Sequence, residues 1–188
     1  MAFKLQSFIS SCLAVINDAD AHKQITALLA KAVADPDSIY AEIGRPEKAQ
    51  IEKLYVSDEL TVVNVVWAPK MTLLPHNHNM WASIGVYCGR EDNILWRRLK
   101  DEPNRIEAAG AKTIGPTEVQ PLGANIIHSV TNPTSAFTAA IHVYGGNFFE
   151  NERSEWEPSS LTEQPYDVVK NLSLFEQENA ILQFLKGN

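Results

Sequence analysis

Pro75-His76-Asn77-His78-Asn79-Met80-Trp81-Ala82-Ser83-Ile84-Gly85-Val86-Tyr87 carries two histidines one residue apart, ahead of an apolar run. On an extended strand alternate side chains share a face, so both imidazoles can reach one point. Neutral imidazole suits Zn, Fe, Cu or Ni better than Mg or Ca. The same spacing also arises by chance on an exposed strand, so the pair by itself leaves two readings open. A third histidine stands in Gly123-Ala124-Asn125-Ile126-Ile127-His128-Ser129-Val130-Thr131-Asn132. There Ile126, His128 and Val130 share a strand face. A histidine among aliphatic residues needs a partner for its buried nitrogen, either a metal or a nearby carbonyl or hydroxyl.

The surrounding residues read as short strands. Leu60-Thr61-Val62-Val63-Asn64-Val65-Val66-Trp67 is β-branched and aromatic, as a buried strand requires. Strand-like runs recur from Met71 to His78, Trp81 to Cys88, Ile94 to Leu99, Ala111 to Ile114, Asn125 to Val130 and Phe137 to Tyr144. Turn residues separate them at Ala68-Pro69-Lys70, Gly89-Arg90-Glu91-Asp92-Asn93, Gly115-Pro116, Pro121-Leu122-Gly123 and Thr131-Asn132-Pro133. Many short strands predict a mainly β sandwich or barrel. Before them, helical spacing runs through Leu5, Phe8, Ile9, Cys12, Leu13 and Ile16, then Ile25, Leu28, Leu29 and Val33. Asn17-Asp18-Ala19-Asp20 offers an N-cap to the second helix and Asp35-Pro36-Asp37 stops it, with a short third helix through Ile39 and Ile43. Beyond Gly145-Gly146 the chain reads as polar and irregular through Pro165, and a helical tail starts near Val168. One domain is expected over 1–188, with a helical segment at 1–50, a β-barrel core at 51–150 and an extension with a helix at 151–188.

Bulk properties narrow the partners. The chain has 188 residues, 45% of them hydrophobic, and a formal net charge of -7. That charge argues against nucleic acid or an anionic membrane as partner. Arg97-Arg98-Leu99-Lys100, the one basic cluster, reads as a solvated edge. No apolar run approaches the roughly 20 residues of a membrane span. The opening Met1-Ala2-Phe3-Lys4-Leu5 lacks a signal-peptide pattern. Cys12 and Cys88 give no disulfide framework. The expectation is a soluble, cytoplasmic protein with free thiols.

Both histidine segments resemble the cupin signatures. Gly115, Pro121 and Gly123 match the G-x5-P-x-G turn, and His128 with Asn132 matches H-x3-N, with two extra residues between Gly123 and His128. Gly89 sits at the family's distance after His78, Lys70 replaces the glycine ahead of the pair, and Ala82 or Ser83 replaces the glutamate ligand. The resemblance implies a cupin double-stranded β-helix, a jelly-roll barrel, with a metal on His76, His78 and His128. Lacking the glutamate, the site is similar to the thiol dioxygenase branch, which includes cysteine dioxygenase and 3-mercaptopropionate dioxygenase. The similarity runs from Tyr55 to Tyr144. It implies a small-molecule substrate, with Fe(II) and O2 added to a thiolate, although nickel or zinc could occupy the same nitrogens. His142 and Tyr144 resemble that branch's Ser-x-His-x-Tyr element, with Ala140 in place of the serine. Tyr144, steered by His142, is then implied to donate a hydrogen bond or proton to bound oxygen, a buried core pair being the alternative. Ser83 stands where the branch's crosslinking cysteine would fall, and Ser57 where its carboxylate-binding arginine would follow Tyr55. Arg90, Arg97 or Arg98 could supply that charge. The run from Pro75 to Tyr87 is similar, too, to bacterial cupins described only as predicted metal-dependent enzymes.

Met80, Trp81, Trp67 and Tyr87 are candidate apolar walls or ordinary core. Glu118 is a candidate fourth ligand, and His22, on the polar side of its helix, has no assigned role. A cupin oxygenase of a diketone-like substrate and a non-catalytic metal- or small-molecule-binding cupin are the competing functions.

Overall fold

A computed structural model describes residues 2–187. The helical front folds as expected into α1 (Leu5–Val15), α2 (Ala21–Val33) and α3 (Pro36–Ile43). Asp20 does stand at the N-cap of α2, but its carboxylate accepts from the Gln24 side chain and leaves the helix N–H groups uncapped. Asp35 ends α2 and also starts α3, accepting from Ser38 N, with Pro36 in the first turn where a missing N–H costs nothing.

Among the described residues eleven strands follow: β1 (Gln50–Val56), β2 (Thr61–Trp67), β3 (Thr72–Asn77), β4 (Ala82–Cys88), β5 (Glu91–Arg98), β6 (Ile106–Ile114), β7 (Val119–Leu122), β8 (Ile127–Thr131), β9 (Thr138–Tyr144), β10 (Ser154–Trp156) and β11 (Glu163–Pro165). They form two antiparallel sheets, in the orders β1-β2-β9-β4-β7 and β11-β10-β3-β8-β5-β6. From β2 to β9 the chain crosses repeatedly between the sheets, which is the winding of a jelly roll. The fold is mainly β, as expected, and α4 (Val168–Gly187) ends it.

The first sheet is buried on both faces, which explains its unbroken apolar strands. Val63, Val65, Trp67, Ile84, Val86, Ala140 and Tyr144 face the barrel interior. Val62, Val66, Tyr87, Ile141 and Val143 pack on Ile9, Cys12, Ile25, Leu29 and Val33 of the helices. Each large aliphatic side chain so buried contributes about 1.5–3 kcal/mol. At the other end α4 adds Phe175, 5.4 Å between ring centres from Trp67, and Asn179 hydrogen-bonds both Ala49 N and O at 2.8 Å.

Three sequence expectations are corrected. Glu91, Asp92 and Asn93, expected in a turn, open β5, because Gly89 and Arg90 suffice to carry the chain from β4 to the other sheet. Gly89 has φ +72, and a Cβ there would lie 2.3 Å from Thr138 Oγ1. Pro121, expected in a turn, lies in β7, where an edge strand tolerates the missing donor. The segment expected to be irregular up to Pro165 contains β10 and β11, and Glu155 of β10 pairs with His76. No described helix is long and apolar enough to cross a membrane.

Candidate metal centre

His76 on β3 and His128 on β8 are cross-strand partners. His78 follows β3 where the chain turns at Asn79, φ +53, and Asn151 Nδ2 donates to His78 O at 2.8 Å. The three imidazoles are brought together as the sequence predicted. His78 Nε2 lies 3.3 Å from His76 Nε2 and 3.2 Å from His128 Nε2. All three offer a nitrogen within 4.8 Å of the others.

The outer nitrogens fix the inner ones. His76 Nδ1 donates to Leu74 O at 2.9 Å, and His128 Nδ1 donates to Asn93 Oδ1 at 2.8 Å. Their Nε2 atoms are therefore unprotonated and turn lone pairs toward His78. Burial pushes His76 down to about 4 and holds His78 and His128 well below the usual imidazole range. The inward lone pairs of His76 and His128 converge on His78 in a buried site, and a cation at the focus of the three rings would engage them. Ligands at about 2.1 Å from a metal stand about 3.0 Å apart at right angles and about 3.4 Å apart in a tetrahedron. The observed separations fall between these values. His78 Nδ1 is buried without a partner.

The focus opens on a narrow cavity of about 30 Å³, lined among others by Tyr144, His142, Phe148, Tyr166 and Trp67. His142 Nδ1 and Tyr144 Oη are 3.0 Å apart, so the expected pair forms. Burial raises the Tyr144 phenol far above its ordinary value. Outside the cavity, Arg153 lies with its guanidinium 4.0 Å from the Phe148 ring centre and 4.2 Å from that of Tyr166. One of its nitrogens donates to Phe148 O, its Nε is buried without a partner, and among the described residues no carboxylate pairs with it. Beneath His76, Glu155 is fully buried. Burial alone would raise its carboxyl, but donors from Gln164, Asn171, Lys170 and Asp167 N hold it below the usual range.

Several expected roles lie elsewhere. Glu118 is exposed and accepts from Gly115 N at 2.7 Å, so it closes a turn and is no fourth ligand. Arg90, Arg97 and Arg98 pair on the surface with Asp92, Glu107 and Glu163. Ser57 bonds Leu60 N and O in the β1–β2 turn. Ser83 points to α2, where its hydroxyl meets Thr26 Oγ1 at 2.7 Å, and the residue facing Tyr144 is Ala82. Of the four candidate wall residues only Trp67 lines the cavity. Trp81 stacks on His22, Tyr87 Oη bonds Asn64, and Met80 packs in the core. His22 has a structural place, with Nε2 3.0 Å from Ala82 O. Asn132, at the end of H-x3-N, ties two turns through Ala68 O and Ala136 O, each at 2.8 Å. Sequence reasoning missed Arg153, Glu91 and Asn93. Arg153 lies in an aperiodic polar stretch and the other two inside an apparent turn, so no local pattern marked them.

No family model matches the chain. Solved structures show partial likeness. An RmlC-like cupin family protein with a double-stranded β-helix fold from Methanocaldococcus jannaschii aligns over 58% of this chain and 91% of its own, at 14% identity and TM-score 0.47. DMSP lyase DddQ from Ruegeria pomeroyi aligns over 55% of this chain and 46% of its own, at 15% identity and TM-score 0.43. A variant oxalate decarboxylase from Bacillus subtilis aligns over 55% and 27%, at 14% identity and TM-score 0.42.

Proposed function

We propose that this chain is a metal-dependent oxygenase, using iron(II) on His76, His78 and His128 and O2 to oxidise a small anionic chelating substrate, first of all a thiol. The observation that carries the reading is the convergence of three buried imidazole Nε2 atoms, two of them unprotonated, with no carboxylate among the described residues completing the set. When bound, the metal would supply Lewis acidity and a site for O2. The chain's own residues do the rest. Leu74 O and Asn93 orient two of the ligands, as outer-shell acceptors do in other histidine sites. Phe148, Trp67 and Tyr166 exclude water. Arg153 offers the cation that Ser57 cannot, and a guanidinium without a protein carboxylate is suited to an anionic substrate group.

The test is oxygen consumption by protein loaded anaerobically with Fe(II), across thiols with and without a carboxylate. Thiol-dependent uptake is expected, abolished in His128→Ala, and Arg153→Gln should raise KM roughly 10–100-fold for carboxylated thiols, the value of a charged hydrogen bond. Stoichiometric iron with no uptake from any thiol would discard the thiol reading. The small volume of the cavity favours one alternative, a metal-binding cupin without catalysis, and that same outcome would support it.

A further inference from the structure

Glu91 is fully buried, a carboxyl group inside the barrel on β5 with no basic partner assigned to it by the sequence. Its Oε1 accepts from Trp67 Nε1 at 2.7 Å, and its Oε2 has no hydrogen-bond partner. His142 Nε2 lies 3.5 Å from the same oxygen, about 0.3 Å beyond the ordinary N–H···O range, and has no other partner. An orphaned ring nitrogen thus lies a short gap from a carboxylate oxygen that already accepts from Trp67 and has a second lone pair to offer. Trp67 can only donate, so Oε1 acts as an acceptor. A nitrogen facing a buried acceptor is satisfied only if it carries the proton.

We infer that Glu91 fixes His142 as its Nε2–H tautomer and thereby makes Tyr144 a hydrogen-bond acceptor toward the cavity. With the proton on Nε2, His142 Nδ1 is a lone pair, so the 3.0 Å contact to Tyr144 Oη has the tyrosine as donor. The single phenolic proton is then committed to His142. What Tyr144 offers its other neighbour is a lone pair, the reverse of the donor role that the sequence resemblance implies. Glu91 approaches the histidine from another strand, β5 against β9. An occupant of the cavity beside Tyr144 must accordingly bring a donor there, an O–H, N–H or S–H group. That consequence for the occupant rests on the reading of this cavity as the active site; the tautomer does not. Glu91 is a positioning residue, acting on the cavity through His142.

Nitrogen NMR of full-length protein labelled with 15N-histidine, without iron and near pH 7.5, distinguishes the two tautomers and the imidazolium, with His142 assigned by its absence in His142→Gln. Wild type should show His142 protonated at Nε2 alone. Tyr144→Phe should leave that state unchanged, because Glu91 sets it. Glu91→Gln should also keep it, since the amide oxygen can still accept, whereas Glu91→Leu should move the proton to Nδ1. Should Glu91→Leu fail to fold, the wild type and Tyr144→Phe decide the matter. A wild-type His142 protonated at Nδ1, or at both nitrogens, would overturn the inference, as would loss of the Nε2 proton in Tyr144→Phe. The readout needs no turnover, so failure of the oxygenase reading and failure of this inference are separately visible.

Discussion

His128 is oriented by one side chain, Asn93, whose amide oxygen takes the Nδ1 proton at 2.8 Å. Asn93→Ala removes that acceptor from a buried ring and frees the imidazole to rotate or change tautomer. Metal affinity should fall about 10–100-fold with the fold retained, measured by competition with a chelator and checked by circular dichroism. Unchanged affinity would mean that strand pairing alone holds His128. The ligands themselves were legible in the sequence, because H-x-H on a strand and a histidine between Ile126 and Val130 declare their faces. Their supports were not. Leu74 O is a backbone group with no sequence signature, and Asn93 meets His128 across 35 residues by a pairing that only the folded sheet reveals. Arg153 packs on Phe148 and Tyr166, two residues of the cavity lining, from a segment without periodicity, which local pattern cannot place.

The turn between β2 and β3 shows how an element can depart from a motif and keep its shape. Lys70 replaces the motif glycine yet has φ +65, the left-handed conformation that glycine adopts without a Cβ penalty. Its ammonium donates to Pro133 O, and the turn is tied to the next by Asn132. Lys70→Gly should therefore leave stability unchanged or raise it by up to about 1 kcal/mol in urea denaturation, and Lys70→Val should lower it. A clear loss in Lys70→Gly would mean that the lysine's contact outweighs the backbone strain. Element by element, β2, β4 and β9 were readable as strands from β-branched composition, although burial on both faces erased the alternation that would have shown which face lines the cavity. The pair β10 and β11, three residues each, is held by neighbours in the sheet and by the Glu155 cluster, too short to leave a period in the sequence.

At the scale of the molecule, three imidazoles buried in the barrel make the metal-free fold sensitive to acid. An unfolded histidine titrates near 6.5, whereas burial holds His76 down to about 4. Between those values the unfolded chain binds the proton and the folded one does not, so stability is full above about 6.5 and is lost as pH falls toward 4. His76 by itself accounts for about 3 kcal/mol across that window. Denaturant midpoints of metal-free protein at pH 7.5 and 5 check this, and a flat profile would contradict a buried neutral cluster. The jelly roll brings the cluster together from two strands of one sheet and sets His142 and Tyr144 opposite on the other, with α4 packed at the Trp67 end. That convergence makes one claim central: the three histidines hold one divalent metal. Elemental analysis after anaerobic Fe(II) loading and desalting tests it most directly, on wild type and on His76→Ala and His128→Ala. One metal per chain in the wild type, lost in both variants, is the expected result; a folded wild type that retains no metal, or variants that retain it fully, would contradict the account.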